Sequence, residues 1–125
     1  MNTHDFLGQV QARAHLSDTD QSLAATRATL VTLAQRIDPG ERSDLAAQLP
    51  GEIGRMVGEV EGQATYGLHE FYQRVSQEEG AGLPAATHHA RMVMTVVEDA
   101  VSAGEIADVR EQLPAEYAEL FTRAD

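Results

Sequence analysis

The sequence predicts an all-α protein: a tandem duplication of a roughly 60-residue helical unit packed into one compact helical bundle. Three observations predict it. Gln48-Leu49-Pro50 returns as Gln112-Leu113-Pro114, 64 residues further on, and Arg27, Gly40, Glu41, Asp44 and Glu52 find identical residues at the same offset. Apolar residues recur at spacings of three and four, the period of a helix face. Acceptor residues and prolines punctuate both copies at matched places. The 125 residues make one domain, 1–125, with repeats over about 3–60 and 68–123.

Taken in order, Phe6, Leu7, Val10 and Ala14 mark a first helix, and Leu68, Phe71, Tyr72 and Val75 mark its counterpart. A second, longer helix opens at Ser17-Asp18-Thr19-Asp20 and carries Leu23, Leu30, Leu33, Ala34 and Ile37. Its counterpart opens at Pro84 and carries Met92, Val93, Val96, Val97 and Val101. The third helix begins at a capping box in both copies, with Asp38 or Ser102 at the cap and Glu41 or Glu105 three residues on. Pro50 and Pro114 stop it, because the residue before proline is pushed out of helical geometry. Each proline then starts a short fourth helix. Val60–Gly67 joins the halves and is too short for a free tether, so the two are expected to share one core about a pseudo-twofold axis.

This layout resembles the prokaryotic family known as domain of unknown function 2267. The resemblance rests on Glu70-Phe71-Tyr72-Gln73-Arg74-Val75, on Gly104-Glu105, and on Asp108-Val109-Arg110-Glu111-Gln112-Leu113-Pro114-Ala115-Glu116-Tyr117 through Leu120-Phe121. It spans most of the chain and implies a small helical protein without an assigned activity. The first half departs from the pattern: Ile53 stands where the second has Tyr117, and Gly54 and Gly58 dilute the fourth helix.

Composition narrows the functions. Twenty acids against nine bases give a formal net charge of −11, and every base is Arg. Nine scattered arginines make no phosphate-tracking stripe, so neither nucleic acid nor an anionic membrane surface is an expected partner. The only base in the last helical stretch is Arg123. Without Cys there is no disulfide, thiolate nucleophile or Cys-based metal site. No apolar run approaches the ~20 residues of a membrane span, and the first residues lack a signal-peptide pattern, so a cytoplasmic protein is expected.

Histidine is the residue type that invites a site. His88 and His89 are adjacent, about 100° apart on a helix, so a metal there would need partners such as His69. These three are weak metal candidates, and no cofactor is implied. Glu78-Glu79 and Glu98-Asp99 read as solvated faces rather than acid–base pairs, and no serine sits in a nucleophile elbow, so an enzyme is the least supported case. Arg27 and Arg91 stand at matched places among apolar neighbours. A half-buried Arg needs a carboxylate, so Asp44 and Asp108, with Glu41 and Glu105, are the expected partners. Tyr117, Leu120 and Phe121 could serve as core or as an interface. The favoured function is a non-catalytic protein-interaction module, binding a protein partner or itself. The alternative is a small-ligand or metal-binding protein with a site between the two repeats.

Overall fold

Each helix begins where the sequence supplies an acceptor or a proline. In the computed structural model, which describes residues 1–122, Asn2 caps α1 (Thr3–Ala14) by accepting the Asp5 N–H at 2.8 Å. Asp18 does the same for α2 (Thr19–Arg36), Asp38 for α3 (Pro39–Gln48) and Ser102 for α7 (Ala103–Glu111). α4 (Gly51–Gly58) starts from Pro50. α5 (Leu68–Glu79) ends at Gly80, whose φ of 74° is the left-handed stop that glycine adopts without a Cβ clash. α6 (Leu83–Ala100) starts with Pro84 in its first turn, and a 3₁₀ helix, Ala115–Phe121, closes the described chain. Arg123, expected at the end of the second repeat, lies outside the described residues.

The element lengths run 12, 18, 10 and 8 residues in the first half and 12, 18, 9 and 7 in the second. The halves are interleaved rather than set side by side. α1 packs on α2 and also on α6, while α5 packs on α6 and also on α2, with α2 and α6 in mutual contact. α4 covers α2, the 3₁₀ helix covers α6, and α3 meets α7. Phe6, Val10, Leu30, Leu33, Ile37, Phe71, Val75, Val93, Val96 and Val97 from both halves therefore fill one core. Burial of this apolar surface is the main force holding the bundle.

The segment joining the halves is bolted down. Arg42, buried on α3, donates from Nε to Ala34 O (2.9 Å), from Nη1 to Val60 O (2.7 Å) and from Nη2 to Gly62 O (2.5 Å) and Ile37 O (3.4 Å). Arg36 Nε donates to Tyr66 O at 2.9 Å, and the Tyr66 hydroxyl donates back to Thr32 O at 2.6 Å. Glu116 accepts the first amide of α5, from Leu68, at 2.5 Å. The joint thus uses carbonyls that would otherwise be stranded.

The expected fourth helix of the second half is a 3₁₀ helix rather than an α-helix. In the first half α4 lies close against α3 because Gly54 has no side chain; a Cβ there would stand 2.4 Å from Ala46 O. Ala118 occupies the matched position in the second half, so the same approach is closed.

Candidate functional site

The site with the most unresolved chemistry lies where α3 meets α7. The third residue of each helix is a glutamate, which in a full capping box would reach back to the cap N–H. Here those N–H groups are taken from across the molecule. The Asp38 N–H donates to Gln112 Oε1 at 2.8 Å, and the Ser102 N–H donates to Gln48 Oε1 at 2.7 Å. Gln112 also donates through Nε2 to Asp38 Oδ2 at 2.8 Å. The capping boxes are therefore only half formed, and Glu41 and Glu105 turn toward each other.

Glu105 is 5% exposed, and its Oε2 and the Oε2 of Glu41 are shielded from solvent without a hydrogen-bond donor. Glu41, Glu105 and the exposed Asp108 each bring a carboxylate oxygen within 4.8 Å of the others. Burial, then sharing of a proton with Glu41 and the charges of Glu41, Asp44 and Asp108, pushes the Glu105 carboxyl up to about 8. Among the described residues no Arg makes an ion pair with any of these four acids. Chemically, the cluster is a set of closely spaced acceptors with no Arg ion pair among the described residues.

A family model described as an uncharacterized conserved protein matches residues 3–120, nearly the whole chain. The chain belongs to the DUF2267 family. No curated protein matches it.

In this DUF2267 chain the residues expected to carry function are distributed differently. Arg27 lies exposed on α2 between buried Thr26 and Ala28, and Asp44 lies exposed on α3; no ion pair joins them. Arg91 is half-buried on α6, near Tyr72 and His88, with its Nε unpartnered, and it does not reach Asp108. Among the described residues the buried arginines are Arg36, whose Nε donates to a backbone carbonyl, and Arg42, whose Nε, Nη1 and Nη2 all do. One signal could have found Arg42: it stands where the second half has the core residue Ile106.

The three histidine candidates do not gather. His69 is exposed at the start of α5, about 15 Å along the helix from Glu79 at its end. His89 is half-buried and pairs through Nδ1 with Glu79 Oε2 at 2.5 Å. Glu79 is thereby drawn off the solvated face expected of it, its side chain only 8% exposed. His88 is exposed, and its basicity is lowered by partial burial and by nearby His89, His15 and Arg91. Among the described residues, the metal-type side chains that converge are carboxylates at α3 and α7.

Tyr117, Leu120 and Phe121 take the core side of their two alternatives, at 1%, 1% and 6% exposure. Tyr117 packs edge-on against Phe71 at 5.7 Å, lies beneath Arg36, and donates its hydroxyl to Tyr66 O at 2.7 Å. They are not a free interface, because burying them closes the bundle over α6. Among the described residues the exposed large apolar side chain is Met1, at 49%. No helix there is long and apolar enough to cross a membrane.

Proposed function

We propose that the protein is a non-catalytic protein-interaction module that takes a basic partner on the carboxylates of the α3–α7 junction. The observation that carries this reading is the exposed pair Asp44 and Asp108, without an Arg partner, flanking the shielded Glu41 and Glu105 between the helices. Complementary charge steers association and sets specificity, and a surface poor in exposed apolar side chains leaves charge as the main recognition term. The two halves, 3–60 and 68–123, are read as repeats of one unit, and the face lies between them. The net charge of −11 repels nucleic acid, and the composition fits a cytoplasmic protein.

Any strongly acidic protein attracts a polycation, so the test must separate this face from overall charge. Binding of an Arg- and Lys-rich peptide is measured by calorimetry for two double variants of equal charge. Asp44→Asn with Asp108→Asn should weaken binding severalfold. Glu59→Gln with Glu61→Gln, exposed acids elsewhere, should leave it near the wild type. Equal weakening by the two pairs would sink the reading.

A further inference from the structure

Two carboxylates buried side by side repel each other and lose hydration, so structures normally relieve such a pair with a cation, a donor or a proton. At the α3–α7 junction the nearby backbone amides are spoken for: the Glu41 and Glu105 N–H groups donate to Asp38 Oδ1 and Ser102 Oγ, and the Asp38 and Ser102 N–H groups donate to Gln112 Oε1 and Gln48 Oε1. The arginines that might have neutralised the pair lie elsewhere on α2 and α6. Glu105, with 5% of its surface exposed, aims into the cluster an oxygen that no donor group meets, and Glu41 aims a second; when ionised, the pair has no proton to share. Asp108 closes the group from the solvent side.

We infer that Glu41, Glu105 and Asp108 form a site for one divalent, oxygen-seeking metal ion of the size of Ca²⁺. The donor set is oxygen only, which suits a hard cation and not the ions that favour nitrogen or sulfur. Two oxygens bound at ~2.3–2.6 Å to one Ca²⁺ lie at most about 5 Å apart, and these lie within 4.8 Å. Mg²⁺, with ~2.0–2.1 Å bonds, demands near-octahedral geometry and gives up its waters reluctantly, so three side chains from two helices suit the more permissive Ca²⁺ better. Three protein ligands leave the outer face of the ion to water, which places the affinity on the order of 10⁻⁴–10⁻³ M, as in weak Ca²⁺ modules. The ion would tie α3 to α7, and so one half of the chain to the other, at the point where like charges now oppose that contact. This inference does not depend on the partner reading, because the chain alone binds the ion.

The experiment is a calorimetric titration of the whole chain with CaCl₂ and, separately, MgCl₂, in alkaline buffer above the Glu105 value of about 8. One saturating Ca²⁺ site per chain is expected, with Mg²⁺ weaker. Glu105→Gln should weaken Ca²⁺ by about tenfold or more through loss of a charged ligand, and Asp108→Asn by severalfold. Asp108 is exposed, so its variant keeps the test intact should the Glu105 variant disturb folding, which far-UV circular dichroism reports. Glu59→Gln, an exposed acid just past the end of α4, should change nothing. Amide shifts on Ca²⁺ addition should map to α3 and α7. Absence of a saturable site, or a site indifferent to both the Glu105 and Asp108 changes, overturns the inference, as does an equal loss in Glu59→Gln.

Discussion

Glu105 and Arg42 show two fates for a charged side chain in a small helical core. Arg42 is buried yet content, because its planar fork meets carbonyls from Ala34, Val60 and Gly62 at 2.5–2.9 Å. Lys cannot reproduce that fork, so Arg42→Lys should cost about 1–3 kcal/mol in urea unfolding, with faster amide exchange over residues 60–67. An unchanged exchange pattern would mean the joint is held by other groups. Glu105 is buried and discontent, and its effect on stability depends on pH. Below the ordinary carboxyl value of 4.5 it is protonated in folded and unfolded chains alike. As pH rises, the unfolded chain ionises first while the folded chain keeps its proton up to about 8, so stability falls across that window and levels above it. In metal-free buffer Glu105→Gln should remove this fall and exceed the wild type in alkaline solution. Denaturant midpoints taken at several pH values check this; parallel profiles would show that Glu105 is not the group responsible.

At the scale of the elements, the α-helices of both halves were legible because caps, prolines and 3–4 spacing are local signals. Asp18, Asp38 and Ser102 act as the caps their residue types announce. What was not legible depended on which residues meet across the fold. The Glu at the third position of α3 looks like a capping-box partner until Gln112, from the other half, takes its hydrogen bond. Arg27 looks half-buried from its neighbours, yet the packing of α2 turns it outward. Tyr117, Leu120 and Phe121 were ambiguous because an apolar stripe has the same spacing whether it faces a core or a partner. Gly54 looked like a weakness in α4 and is instead what lets α4 approach α3. Gly54→Ala should therefore destabilise by about 1–3 kcal/mol through overpacking against Ala46 O. Gly51→Ala, also in α4 but with open space around the added methyl, should stabilise by up to about 1 kcal/mol. Thermal unfolding of the two variants gives opposite signs if close packing, rather than helix propensity, decides.

For the whole molecule, the exchange of partners between α1, α2, α5 and α6 has a consequence that no single helix carries. In the first half, α2 lays one side on α1 and another on α5 and α6, so removing the second half would strip two of its faces at once. Leu30, Leu33, Ile37 and their neighbours would then meet water, and burial fractions at about 60 residues leave little margin for that loss. Neither half should fold alone. The joint itself is not a covalent necessity, since it is anchored on both sides of the exposed Gly62 and Gln63: Arg42 holds Val60 and Gly62, while Gln35 O accepts the Ala64 N–H at 2.8 Å. A chain divided between Gly62 and Gln63 should thus behave as two largely unfolded fragments that regain the native helical spectrum and one cooperative transition when mixed. That transition should move to higher denaturant as fragment concentration rises, because association has become intermolecular. Circular dichroism on each fragment and on the mixture decides it. A fragment that melts cooperatively alone would show that its core is its own, and that the interleaving of α1, α2, α5 and α6 contributes less than their packing implies.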